Sequence, residues 1–187
     1  KGLYILTPDG SIIHCLNTTN SALESNQIFA IKKTGREIGL CTEKFFYKLN
    51  TQHKISKSGI ESRPGTFSYV LNCNLHTNGD LYLATNNGIA ILDQKGLTKK
   101  LMPSVSNTDI FGKTIISNVI PVDESYWVST LSNGIFYLKN NVVIKHFYLH
   151  HGLQNNVVYN IGITKNGTIW ACTNAGISRL LAGQNNF

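Results

Sequence analysis

The chain is patterned as short apolar runs separated by clusters of Asn, Gly, Asp, Thr and Ser. Such runs with turn residues between them predict β-strands joined by tight turns rather than helices. In the runs Leu81–Ala84 and Ile169–Cys172, both alternating sets of positions are apolar. A sandwich strand has one wet face, so it shows polar residues at every second position. The pattern therefore predicts sheets that are covered on both faces.

The apolar runs recur as an internal repeat. Each copy ends a strand in threonine, at intervals of 43, 45 and 43 residues, and most copies place an aromatic residue three positions earlier and open the next strand with glycine. Antiparallel hairpins with this period and two buried faces predict the blades of a β-propeller. The earliest full copy is degenerate, because Gly39 stands at the aromatic position and Phe45 at the glycine position. The recurring residues are Thr42, Thr85, Thr130 and Thr173; Tyr82, Trp127 and Trp170; Gly88, Gly134 and Gly176.

We predict an all-β chain, a β-propeller fragment of four-stranded antiparallel blades, with roughly four blades and a ring that is incomplete. Residues 1–187 form one propeller region, and in the last copy we expect strands at Val157–Thr164, Thr168–Thr173 and Gly176–Leu181. An open ring exposes two apolar blade faces. We therefore expect either pairing with a second copy or neighbouring blades that cover these faces. We letter the four strands of a blade A to D in chain order. The predicted parts are then strands C and D of a first blade at 1–17, blades at 26–57, 68–102 and 115–148, and a partial last blade at 157–181.

Asn-Gly pairs between apolar runs mark the predicted hairpins. The pair is the strongest short hairpin signal, because both residues tolerate the positive φ of a type I′ turn. We therefore expect type I′ turns in the chain. The pairs lie at 78–79, 87–88, 133–134 and 166–167.

Charge and cysteine content narrow the function classes. Seventeen Lys and Arg against ten Asp and Glu give a net charge of +7, which favours an anionic ligand. The basic residues are scattered and no nucleic-acid-binding motif accompanies them, so we expect no nucleic-acid partner. The four cysteines are far apart, which excludes a C-x-x-C motif, and their spacing does not argue for disulfides, although an oxidising compartment would allow them. The chain starts at Lys1 and its one methionine is Met102, so we expect it to be a fragment.

The last copy carries the pattern G-L-x-x-N-x-V…G-x-I-W-x-x-T-x-x-G-I-x-x-L, beginning at Gly152 and ending at Leu180. This pattern resembles the two-component-regulator propeller repeat. The resemblance implies the periplasmic sensor region of a Bacteroides-type hybrid histidine kinase, which detects oligosaccharides and reaches the membrane only through the parent protein. The kinase, phospho-acceptor and DNA-binding parts of such a regulator are not in this sequence.

Candidate ligand-binding residues follow from propeller geometry. The connections from strand D to the next strand A, and from strand B to strand C, meet on one face, where ligands bind. Amide, imidazole and cationic groups there suit sugar hydroxyl, carboxylate or sulfate groups. The Asn side chains also have a simpler explanation in turn chemistry, and the cations in solvated loops. The candidates are Arg63, Lys113, His150 and His151 in D–A connections, and Asn86, Asn133 and Asn174 in B–C turns.

Catalytic, metal and cofactor chemistry have little support. The segment Thr164–Trp170 faintly resembles the sialidase Asp-box, which is a structural turn. The one adjacent pair of acids, Asp123 and Glu124, is predicted in an A–B hairpin on the opposite face. The neighbouring side chains of His150 and His151 diverge, so they do not form a metal site. We expect no enzyme activity, no metal and no cofactor. The alternatives to oligosaccharide sensing are a protein-interaction or dimerisation scaffold and, less favoured, a carbohydrate-active propeller enzyme.

Overall fold

The computed structural model describes residues 1–34, 36–42, 45–58, 69–93, 98–101, 111 and 114–187. They form antiparallel sheets in chain order, which confirms the all-β fold and the open ring of blades. Blade 1 has two strands, blades 2, 3 and 4 have four strands each, and blade 5 has three. The strands are β1 Leu3–Leu6, β2 Ile12–Leu16, β3 Ile28–Thr34, β4 Glu37–Thr42, β5 Phe46–Leu49, β6 Ile55–Ser58, β7 Val70–Leu75, β8 Leu81–Thr85, β9 Gly88–Leu92, β10 Thr98–Leu101, β11 Ile116–Val122, β12 Ser125–Thr130, β13 Ile135–Lys139, β14 Val142–Phe147, β15 Val158–Ile163, β16 Ile169–Thr173 and β17 Gly176–Leu180. A 3₁₀ turn at Leu149–His151 is the one helical element of the described residues.

The hydrophobic cores lie between successive blades, as two apolar faces per strand require. One cluster joins blades 1 and 2, and further clusters join blades 2 and 3, 3 and 4, and 4 and 5. The first strands of neighbouring blades contact one another, so they form the inner edge of the ring. In β8, Leu81, Leu83 and Ala84 are all buried. The sheets are therefore stacked face to face.

Asparagine side chains tie the inner strands together across the blades. The Asn74 amide donates to Asn118 Oδ1 and to the Val119 carbonyl, both at 2.7 Å. The Asn118 amide in turn donates to Asn160 Oδ1 at 2.7 Å and to the Ile161 carbonyl at 3.1 Å. Asn118 and Asn160 each sit where the pairing with the second strand shifts, so a bulge turns them toward the neighbouring blade.

A disulfide joins blades 2 and 3, a link that the cysteine spacing did not predict. Cys41 on β4 and Cys73 on β7 are both buried, with their Cα atoms 6.7 Å apart. Cys15 and Cys172 are free. The pairing depends on the face-to-face packing of two sheets, so the separation of 32 residues along the chain does not reveal it.

The repeated threonine closes the turn between the second and third strands of blades 2 to 5. Thr130 Oγ1 donates to the Gly134 carbonyl at 3.0 Å and accepts from the Asn133 N–H at 2.8 Å. Thr85 and Thr173 make the equivalent bonds to the carbonyls of Gly88 and Gly176. A buried hydroxyl that both donates and accepts in this way explains the recurrence of threonine at this position.

The Asn-Gly turns are not of type I′, so that prediction is wrong. Gly79 and Gly167 have positive φ, but the asparagine before each of them does not. The Gly167 N–H donates to Thr164 O and the Thr164 N–H to Thr168 O, which is a three-residue loop closed by a glycine bulge. Two consecutive positive φ angles occur instead at Asn140 and Asn141.

Replacing Thr130 by valine tests the role of the threonine. Thr130→Val keeps the shape of the side chain but removes both hydroxyl bonds from a fully buried site. We expect the free energy of unfolding in urea to fall by about 1–3 kcal/mol. The matched control is Thr51→Val, because Thr51 is exposed, and its stability should change by less than about 0.5 kcal/mol. Equal losses in the two variants would contradict this role.

Candidate ligand face

Two connections meet on one face of blade 4. The turn between β12 and β13 contacts the loop between β14 and β15 through a hydrogen bond from the Gly134 N–H to the Asn156 carbonyl at 2.9 Å. His146, near the end of β14, places Nε2 2.6 Å from the Asn133 carbonyl. The ring of His146 stacks on Phe136, with centroids 4.0 Å apart and planes 7° apart. These contacts hold the two connections together.

The loop between β14 and β15 is built by the residues of the repeat motif. Gly152 adopts φ 81°, which ends the 3₁₀ turn. Leu153 is buried and anchors the loop to the core between blades 4 and 5. The Gln154 N–H donates to Ser178 Oγ at 3.0 Å, and Asn156 Oδ1 accepts from the Leu149 N–H at 3.0 Å. The motif therefore specifies a loop conformation rather than a ligand contact.

The loop between β2 and β3 has the same construction as the loop between β14 and β15. Leu23 is buried, and Asn26 Oδ1 accepts from the Thr18 N–H at 3.0 Å. The Glu24 N–H donates to the hydroxyl of Tyr47 at 3.0 Å, where blade 5 uses a serine. Sequence reasoning missed this copy, and its signal is the spacing Leu-x-x-Asn-x-Ile from Leu23 to Ile28.

The two predicted histidines lie on this face in different environments. His150 is exposed, with its ring 5.5 Å from that of Tyr148. His151 is half-buried, 4.6 Å from Tyr148 and 6.1 Å from Phe147 between ring centroids. Its Nδ1 atom is shielded from solvent and has no hydrogen-bond partner. Of the two, His151 is therefore the one with an unused polar atom inside the structure.

The three predicted asparagines make contacts within the protein. Asn86 Oδ1 accepts from the Tyr69 N–H at 3.1 Å. The Asn133 amide lies 3.4 Å from Thr114 Oγ1, and Asn174 Oδ1 accepts from the hydroxyl of Tyr159 at 2.8 Å. These bonds agree with turn chemistry, and a ligand role for the three residues stays a prediction.

Arg63 and Lys113 lie outside the described residues. Their ligand role also stays a prediction. Two residues that the sequence did not single out, Lys145 and His146, lie beside His151 on the same face. Their strand shows no motif, so only the folded loop reveals this grouping.

A groove lies on the outer side of blade 5. It has a volume of about 430 Å³ and includes Trp170, which is 42% exposed. The equivalent Trp127 packs against the core between blades 4 and 5. Trp170 does not pack between blades within this chain, because no blade follows blade 5 in the described structure. Exposed Tyr159 and Ile177 also lie on blade 5.

Burial perturbs tyrosines between blades 3 and 4 rather than on the ligand face. The pKa of Tyr126 is raised, first by burial and second by the nearby charge of Tyr82. Its hydroxyl donates to Asn141 Oδ1 at 2.6 Å. Burial also raises the pKa of Tyr82, with a further contribution from Asp80. Both tyrosines belong to the core between the blades.

Within the described ranges, no three His, Cys, Asp or Glu side chains are grouped so that they could hold a metal ion. No helix among these residues is both long enough and apolar enough to cross a membrane. Asp123 and Glu124 lie in the turn between β11 and β12, as the sequence predicted.

Residues 152–175 match the family described as two component regulator propeller. The match coincides with the loop and the first two strands of blade 5, which confirms the resemblance read from the sequence. A comparison with curated proteins found no match.

Solved structures share the propeller fold. The extracellular domain of the putative one component system BT4673 from B. thetaiotaomicron aligns with a TM-score of 0.74 and 18% identity, covering 95% of this chain and 24% of that chain. The extracellular domain of the putative hybrid two component system BT3049 from the same organism aligns with a TM-score of 0.53 and 17% identity, covering 98% of this chain and 29% of that one. Virginiamycin B lyase from Staphylococcus aureus aligns with a TM-score of 0.63 and 13% identity, covering 97% and 63%.

These likenesses establish a fold that hosts sensors and an enzyme alike, so the fold alone does not decide function. The chain spans about a quarter of the length of the two extracellular domains.

Proposed function

We propose that this chain is part of an extracytoplasmic, ligand-binding sensor module of a two-component regulator, and that its ligand is an oligosaccharide. The observation that carries the proposal is the two-component-regulator repeat at residues 152–175, which builds the loop on the ligand face. The fold shared with extracellular domains of bacterial signalling systems supports the same assignment. A histidine kinase would belong to the parent regulator.

An extracytoplasmic location is supported by the cysteines. Disulfides persist in oxidising compartments such as the periplasm and are rare in the cytosol. The bond between Cys41 and Cys73 joins two blades and is buried, so it has a structural role. A periplasmic sensor region would form this bond during folding.

The ligand face offers groups suited to sugars. His150 and Asn174 are exposed, and Arg63, Lys113, Asn86 and Asn133 remain the other predicted contacts. Imidazole and amide groups donate hydrogen bonds to hydroxyl and carboxylate oxygens. The net charge of +7 adds attraction for an anionic oligosaccharide.

A protein-interaction or self-association module is the second candidate, favoured by the uncovered face of blade 5. Trp170, Tyr159 and Ile177 expose apolar surface on that blade. Asn160, the last asparagine of the inner row, accepts from Asn118 but donates to no described residue. These residues match the way in which blade 4 meets blade 5, so they suit another blade of the same repeat.

A thermal-shift screen with neutral, carboxylated and sulfated oligosaccharides tests the sensor proposal. Ligand at one hundred times its dissociation constant stabilises a protein by about 2.7 kcal/mol, which for a chain of this size raises Tm by several °C, roughly 5–10 °C. We expect such a shift for at least one oligosaccharide, checked by calorimetric titration. Absence of any shift, together with concentration-dependent association in sedimentation velocity, would favour the interaction module instead.

A further inference from the structure

A second groove lies beside the loop between β14 and β15. It is separate from the groove on blade 5 that includes Trp170. Its volume is about 400 Å³. It is formed by the end of β14, the 3₁₀ turn and residues near the end of the chain. The lining residues are Lys145, His146, Phe147, His151, Asn185 and Asn186, which include no carboxylate.

The side chains of the groove divide into an aromatic base and a polar rim. Phe147 is buried and lies between Trp127, with ring centroids 5.8 Å apart, and Phe187, at 5.5 Å. On the rim, Lys145 Nζ donates to Asn185 Oδ1 at 2.5 Å. His146 is held by its stacking on Phe136 and by its bond to the Asn133 carbonyl. The rim is therefore ordered by one contact within the groove, between Lys145 and Asn185, and by the contacts of His146 outside it.

Among the described residues, His151 Nδ1 is the one buried side-chain polar atom without a hydrogen-bond partner. The backbone of this residue is fully engaged, because its N–H donates to Tyr148 O at 2.8 Å and its carbonyl accepts from the Phe187 N–H at 2.7 Å. The ring is fixed between Tyr148 and Phe147, yet Nδ1 has no partner. A buried polar atom without a hydrogen bond destabilises the fold, so a retained one points to a role outside folding.

We propose that this groove binds an anionic substituent, a sulfate or carboxylate group, of the sensed oligosaccharide. Lys145 supplies a fixed positive charge, and the imidazole of His151 supplies a further N–H donor. The absence of a carboxylate in the lining removes the repulsion that would exclude an anion. This inference rests on the proposed sensor function and assigns it a charge preference.

Two variants and one control test the groove by calorimetric titration. Lys145→Gln removes the fixed charge, and His151→Phe keeps an aromatic ring while removing the unpartnered nitrogen. Lys54→Gln is the control, because Lys54 is also exposed and the charge change is the same, but it lies in the turn before β6. The probes are a monosulfated disaccharide, its desulfated form, a disaccharide carrying only a carboxylate, and inorganic sulfate.

We expect the monosulfated disaccharide or the carboxylated one to bind at least tenfold more tightly than the desulfated form. Lys145→Gln and His151→Phe should each weaken that binding about fivefold or more, because a charged hydrogen-bond partner is lost, while Lys54→Gln should not. His151→Phe should also leave thermal stability unchanged or higher, which a purely structural histidine would not do. Competition by inorganic sulfate at equal concentration would show that the groove binds the free anion rather than an anionic group carried by a sugar.

Three results would overturn the proposal. They are equal affinity for the anionic and desulfated disaccharides, anionic binding that is unchanged in both groove variants, and no binding of any anionic probe. In the first two cases the chain still binds a sugar and the sensor function stands. Failure of every oligosaccharide, neutral ones included, would reject the sensor function as well.

Discussion

Gly134→Ala should destabilise the protein more than any other single glycine substitution considered, by about 2–4 kcal/mol. Gly134 has φ +74°, a conformation that residues with a Cβ rarely adopt. A Cβ at this position would also collide with the backbone carbonyl oxygen of Phe147. Because the obstacle is backbone, the strands β13 and β14 would have to separate. The free energy of unfolding in urea, followed by the fluorescence of the two tryptophans, measures the loss.

Two other glycines separate the effect of φ from the effect of the close contact. Gly183 has φ +81°, but a Cβ at this position would have no other atom within 4 Å. Gly183→Ala should therefore lower the free energy of unfolding by only about 1 kcal/mol. Gly162 on β15 also has open space and lies outside the left-handed region, so Gly162→Ala should be neutral or stabilising by a few tenths of a kcal/mol. Losses that are equal for Gly134→Ala and Gly183→Ala would mean that the approach to Phe147 is unimportant.

Removal of the disulfide between blades should have a similarly large effect. The bond closes a loop of 32 residues, and cross-links of this kind stabilise proteins by about 2–4 kcal/mol, mainly by restricting the unfolded chain. We expect Cys41→Ala/Cys73→Ala to lower the free energy of unfolding by that amount. The matched control is Cys15→Ala/Cys172→Ala, which removes two free thiols and should change stability by less than about 1 kcal/mol.

Reductant and thiol counting complete this test. Dithiothreitol should lower the Tm of the wild-type protein and of the Cys15/Cys172 variant, but not that of the Cys41/Cys73 variant. Titration of the unreduced, denatured wild-type chain should find two free thiols. Four free thiols would show that Cys41 and Cys73 are not joined. The cysteines would then no longer support an extracytoplasmic location.

Much of the fold was predictable from the sequence because it depends on local periodicity. The predicted strands of the last copy, Val157–Thr164, Thr168–Thr173 and Gly176–Leu181, differ from the observed ones by one residue at each changed end. Apolar residues on both faces of the strands predicted stacked sheets, and the cores do lie between blades. The turn type was wrong because Asn-Gly fits both a type I′ turn and a glycine bulge, and the choice depends on the loop length between the paired strands.

The candidate site was less accessible to sequence reasoning. The motif residues Leu153 and Asn156 proved to shape a loop, and the predicted Asn86 and Asn133 bond to neighbouring backbone or side chains. Lys145 and His146 lie on β14 and carry no motif, and only the fold of the following loop places them beside His151.

The sequence by itself determined the repeat, the strands and the radial stacking of sheets, since each follows from side-chain spacing within one repeat. The tertiary structure decided which cysteines pair, which asparagine amides join across blades and which basic side chains share a groove. The physical reason is distance along the chain: Cys41 and Cys73, or Asn118 and Asn160, belong to different blades. Their contacts depend on the packing of one sheet on the next, which no local pattern encodes.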